Sequence, residues 1–185
     1  SLGLFVSKDV YQNIVLEKKD NISIELPFFD RDINLELKRI NVASKNLQIV
    51  SSSENGSIVL DICPNILSYK MYYLDKSIGV INFYDDIISS TFKINNKQYE
   101  IAKYKNEYIL FEASNSINNS NFSCAVDEVA EINYTNRIAR SSISSAPVCV
   151  ELAIEIDYYT RQTFTSDQQT SNWALAIIAG VSQIF

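Results

Sequence analysis

Lys76–Glu112 reads KSIGVINFYDDIISSTFKINNKQYEIAKYKNEYILFE. Its runs IGVINFY, IISSTFKI, QYEIAKY and EYILFE (continued by Ala113) are rich in β-branched and aromatic residues and largely alternate between apolar and polar positions. That pattern predicts strands with one face in a core. Between the second and third runs stands Asn95-Asn96-Lys97. Asparagine tolerates positive φ, so this is a hairpin signal. Asp85-Asp86 likewise reads as a pair of turn residues.

Towards the N-terminus the pattern continues through ISIEL (22–26), INLELKRI (33–40), LQIVS (47–51), SIVLDI (57–62) and KMYYL (70–74). Turn-like breaks separate them at Phe29-Asp30-Arg31-Asp32, Ser53-Glu54-Asn55-Gly56 and Cys63-Pro64-Asn65. Short strands at about ten-residue spacing predict an antiparallel β-sandwich or open barrel. No helical period interrupts Ile22–Glu112. Ahead of it, Val10, Ile14 and Val15 fit either part of a helix or a loosely held leader.

Towards the C-terminus the composition changes. Residues 114–146 are rich in Ser and Asn, a linker composition. Within them Arg137 and Arg140 offer a cleavage site to a basic-specific protease, or are ordinary solvated arginines. Residues 147–185 regain order. Val148, Val150, Leu152, Ile154 and Ile156 alternate with Cys149, Glu151, Ala153, Glu155 and Asp157, predicting a strand. Ser166 with Gln169 has capping-box spacing, and Asp167 suits the first turn of a helix. Trp173, Ala174, Ile177, Ile178, Val181, Ile184 and Phe185 then recur at helical spacing. So wide a stripe predicts a helix lying against a sheet, and one strand with one helix cannot bury these faces alone.

The chain has 185 residues, 46% of them hydrophobic, and a net charge of −6. The acidic balance argues against nucleic acid as a partner. No apolar run approaches the roughly 20 residues that span a bilayer. Only 4 Gly and 3 Pro against 11 Tyr and 9 Phe suit a β-rich globular chain. With 0 His, no Ser-His-Asp or Cys-His arrangement is available. Of the 3 Cys, at least one is unpaired within the chain or pairs outside it. Asn-x-Ser/Thr sequons at Asn21, Asn55, Asn118, Asn121 and Asn133 matter only in a eukaryotic secretory pathway.

The stretch CVELAIEIDYYTRQTF, followed by NWALAIIAGVSQIF, resembles the opening strand and first helix of reprolysin/ADAM-type (metzincin) zinc metallopeptidase domains. LELKRINVASKNLQIV and YLDKSIGVINFYDDIISSTFKINNKQYEIAKYKNEYILFE are similar, in the same order, to the pro-region of that family. The glycines usual there are largely absent; Asn95-Asn96 stand where a Gly-bearing turn is common. The resemblance implies a β-rich pro-region (1–113), a linker with a processing site at Arg137 and Arg140 (114–146), and the first strand and helix of an incomplete α/β metallopeptidase domain (147–185). It also implies a secreted or cell-surface parent that cleaves protein substrates. The partner of this chain would be the remainder of its own catalytic domain.

The family's zinc helix carries H-E-x-x-H, which places two imidazoles on one metal. This chain lacks it, so the resemblance assigns zinc to the full-length parent and no catalytic residue to these 185 positions. Cys124 is the candidate inhibitory zinc ligand, since a pro-region thiolate can occupy the open coordination position. Its flanks depart from the familiar pattern, with Ala125 following. A disulfide, for instance with Cys149, and an inert thiol remain as alternative readings. Cys63 reads as a structural thiol at a turn. Glu151 matches the position of a carboxylate that binds calcium in many members; a solvated strand carboxylate is the alternative. Against the whole reading stands a non-catalytic extracellular β-sandwich binding module whose terminal helix packs on its own sheet.

Overall fold

The computed structural model describes residues 2–4, 14–15, 17–105, 107–115 and 152–182. They are mainly β. Eight strands form one antiparallel sheet and two more form a separate ribbon. The strands are β1 (Leu2–Leu4), β2 (Asn21–Phe28), β3 (Arg31–Ile40), β4 (Ile49–Ser53), β5 (Gly56–Leu60), β6 (Leu67–Tyr73), β7 (Lys76–Tyr84), β8 (Ile87–Ile94), β9 (Lys97–Tyr104) and β10 (Glu107–Glu112). A 3₁₀ turn (Ala113–Asn115) follows, and the described tail holds helices α1 (Tyr158–Gln162) and α2 (Asp167–Val181).

The sheet order is β1-β10-β9-β8-β7-β6-β3-β2. Apart from β3–β6 and β1–β10, neighbours are joined by short hairpins. Both central residues have positive φ at Leu74 (49°) and Asp75 (62°), Asp85 (47°) and Asp86 (57°), and Asn95 (51°) and Asn96 (64°). Paired left-handed residues match the right-handed twist of the flanking strands. Asn and Asp reach this region at little cost; Leu74 does not.

The period-two pattern sends alternate residues inward. Leu26 and Phe28, Ile33, Leu35 and Leu37, Tyr69 and Met71, Ile81 and Phe83, and Ile88, Phe92 and Ile94 join one buried cluster. Ile14 is helical and enters the same cluster from the N-terminal side. Of the two forms the sequence allows, the sheet takes the open one, a curled half-barrel. The curl is visible in the aromatic contacts. Phe28, on the edge strand β2, meets Tyr99 of β9 edge-to-face at 4.9 Å and Phe92 of β8 at 6.3 Å. Several strands separate these in the sheet order, so the edge reaches them only because the sheet bends over its own core.

LQIVS and SIVLDI form strands, but outside that core. β4 and β5 pair only with each other, and Val50, Ile58 and Val59 are exposed. The expected strand over 148–157 is not found where it can be seen. Residues 152–157 carry no strand pairing, and Leu152 and Ile154 are 62% and 50% exposed. Alternation specifies which side chains share a face; a strand also needs a neighbour to receive its N–H and C=O groups.

Candidate functional site

The helix predicted after Ser166 is present. Ser166 is its N-cap, in extended conformation, and its hydroxyl accepts from the Gln169 backbone N–H at 3.2 Å. The Gln169 side chain reaches back, its Oε1 accepting from Thr165 N at 3.1 Å and Thr165 Oγ1 at 2.7 Å. This is the reciprocal logic of a capping box, displaced by one residue. Arg161 of α1 donates to Asp167 Oδ1 and to the Phe164 carbonyl, tying α1 to the first turn of α2.

The sheet, α1 and α2 belong to one compact unit. Helix α2 lies on the outer face of the sheet, over β7 and β8. Its buried residues are Thr170, Ser171, Asn172, Leu175, Ala176 and Ala179. The expected stripe is covered in part: Trp173 (against Phe164), Ala174 and Ile178 are half-buried, Ile177 is 45% and Val181 39% exposed, and Ile184 and Phe185 lie outside the described residues. Small residues win the interface because they let the helix backbone approach. A Cβ on Gly180 would stand 3.4 Å from Thr91 Cγ2, in ordinary contact. On the sheet side, Val80 and Tyr84 are buried here and take no part in the half-barrel cluster.

The seam is stitched by side-chain amides. Asn172 is fully buried. Its Oδ1 accepts from the Asn65 backbone N–H at 2.8 Å and from Gln168 Nε2 at 3.2 Å. Its Nδ2 donates to Asp85 Oδ2 at 3.0 Å. Asn82 Nδ2 donates to the Ala176 carbonyl at 3.4 Å. Among the described residues, Asn82 Oδ1 and Ser68 Oγ are buried without a hydrogen-bond partner, and Ser68 and Asn82 are register partners on β6 and β7. None of these side chains was singled out as functional in the sequence. Asp85 read as a turn residue, and the only signal of Asn172 is an amide inside an apolar helical run.

The neighbouring end of the half-barrel is held by tyrosines. Tyr108 donates from its hydroxyl to the Asp86 carbonyl at 3.0 Å and accepts from Ile88 N at 3.2 Å. Burial pushes the phenols of Tyr84 and Tyr108 above their ordinary range, and Tyr69 likewise. They stay neutral and serve as hydrogen-bonding posts.

Cys124, Arg137, Arg140, Cys149 and Glu151 lie outside the described residues. Cys63 lies within them, as an exposed free thiol. It lines a shallow cavity of about 360 Å³ with Ile40, Val42, Ile62, Pro64 and Ile66. Among the described residues no group of three or more His, Cys, Asp or Glu could hold a metal, and no helix is long and apolar enough to cross a membrane. No family model, curated protein or solved structure matches the chain.

Proposed function

We propose that the chain is the N-terminal part of a secreted zinc metalloendopeptidase precursor. In this reading the half-barrel is a pro-region that assists folding and holds the enzyme latent. Residues 147–185 open the catalytic domain. The observation that carries the reading is the uneven burial of the tail. Helix α2 covers the sheet with one face, yet Ile177 and Val181 on it stay exposed. Exposed apolar residues on a helix that already covers a sheet fit a layer that a further domain completes. Zinc would belong to that domain, with Cys124 as its inhibitory ligand and Arg137 and Arg140 as the processing site. Glu151 would contribute to a calcium site there.

A specific observation favours the second reading, a non-catalytic extracellular β module. The helix docks on the chain's own sheet and is hydrogen-bonded to it at Asn172 and Asn82. The two readings separate on the metal content of the protein translated from the intact reading frame. One zinc per chain, with proteolytic activity unmasked by Cys124→Ser, supports the precursor. A metal-free, inactive product supports the module.

A further inference from the structure

The cavity beside Cys63 is built from three pieces of chain. Its floor holds the last register pair of β3 and β6, Ile40 opposite Ser68. Leu37, Tyr69 and Met71 enter the half-barrel cluster, so by alternation Ile40 and Ser68 stand on the outer face of the sheet, the face that carries α2. One wall is the β3–β4 connection. It is closed by a turn in which Leu47 N donates to the Ser44 carbonyl and Asn46 N to Ser44 Oγ, each at 3.2 Å. That turn carries Lys45. The other wall is 62–66, stiffened by Pro64 and tied to α2 where Asn65 N donates to Asn172 Oδ1 at 2.8 Å. Both walls are thus held by bonds of their own. At about 360 Å³ the cavity lies at the small end of ligand sites, which run from about 300 to 1,000 Å³.

The lining joins apolar surface to positive charge. Val42, Leu47, Ile62, Pro64 and Ile66 supply the first; the charged residues are Arg39 and Lys45, and none is acidic. This reverses the balance of a chain that carries −6. Arg39 is already committed, its Nη1 donating to the Lys18 carbonyl at 3.1 Å and lying 4.0 Å from Asp20. Lys45 is exposed and, among the described residues, stands in no ion pair. Beside the floor, on the same outer face, Lys38 and Lys70 are register partners. Like charges so placed repel, and an anion relieves them. On the floor itself Ser68 Oγ is buried without a hydrogen-bond partner among the described residues. An unmade hydrogen bond costs free energy that an oxygen acceptor recovers.

We infer that this cavity is a binding site for a small organic carboxylate with an apolar body, such as a medium-chain fatty acid. The body lies against Ile62, Pro64 and Ile66, and the carboxylate faces Lys45. The inference rests on the cavity alone and stands under either reading of the parent.

Cys63 reports occupancy, because it is an exposed free thiol on the lining. The full chain is alkylated with iodoacetamide, a neutral reagent, and peptide mass spectrometry follows Cys63 by itself. With octanoate at about 1 mM, a range suited to so small a ligand, alkylation of Cys63 is expected to slow about threefold or more. Octanol and octyltrimethylammonium at the same concentration should protect far less. Lys45→Glu reverses one exposed charge and should raise the octanoate needed for protection about fivefold. Lys93→Glu, an exposed control on β8, should leave it unchanged. Absence of protection by octanoate would overturn the inference. So would equal protection by octanol, which would make the cavity a neutral apolar site, or protection that Lys45→Glu does not weaken. The peptidase reading fails on a different measurement, the metal content of the intact precursor.

Discussion

Asn172 on α2 donates to the carboxylate of Asp85, in the β7–β8 turn, at 3.0 Å across 87 residues of sequence. The same side chain accepts from the Asn65 backbone N–H at 2.8 Å. One amide thus fixes the helix to a hairpin tip and to the approach to β6. Asn172→Ala leaves the Asn65 N–H and a carboxylate oxygen without this partner at a buried seam. A loss of about 1–3 kcal/mol is expected. Urea unfolding of the full chain measures it; a variant within about 0.3 kcal/mol of the parent would mean that water replaces the amide without cost.

Gly79 tests the packing of β7 on β8. A Cβ there would stand 2.2 Å from the Thr91 carbonyl oxygen and 2.5 Å from Phe92 Cα. Both obstacles are backbone, in the central strands and beside the register shift at Met71/Tyr72. Gly79→Ala is expected to cost more than about 3 kcal/mol or to prevent folding, at the severe end of single substitutions. Soluble yield and thermal midpoint decide it, and a midpoint near the parent's would refute the close approach.

Leu74 offers the opposite sign. It holds φ at 49° in a two-residue turn and is 76% exposed. Leu74→Asn keeps the turn, relieves the left-handed strain and removes an exposed apolar side chain. A gain of about 0.5–1 kcal/mol is expected in equilibrium unfolding. A loss would show that Leu74 makes a contact worth more than its backbone strain.

How much of this was legible follows the range of each interaction. The hairpins from Lys76 to Glu112 were legible because period-two alternation and Asn95-Asn96 act within a few residues. The existence of α2 and its cap at Ser166 were legible for the same reason. Which face of α2 is buried was not. Hydropathy selects Trp173, Ile177 and Val181, whereas the buried face carries Asn172, Leu175, Ala176 and Ala179. The alternation of Val148–Ile156 showed a face and no partner, and residues 152–157 form no strand. The Asn172–Asp85 bond depends on tertiary placement alone.

The surface pair Lys97–Glu112 sets a pH dependence. Lys97 Nζ lies 2.9 Å from Glu112 Oε2, and Ser114 Oγ donates to Oε1 at 2.8 Å. The Lys97 hydrogen bond, then that from Ser114, lowers the Glu112 carboxyl below its ordinary 4.5. Its contribution is present above that value and is lost as pH falls through the lowered one. Lys97 is raised above its ordinary 10.5, first by the same hydrogen bond, so its share is lost only as pH rises through the raised value. Glu112→Gln should lower the thermal midpoint slightly at neutral pH, as exposed pairs do, with the difference closing under acid conditions. A difference that persists when the parent's carboxyl is protonated would assign it to packing.

The most direct measurement of the central claim is the sequence of the reading frame downstream of Phe185. The precursor reading predicts an H-E-x-x-H helix with a third histidine beyond it, the donor set that holds a catalytic zinc. A frame that continues without such a set, or that closes without one, would contradict it.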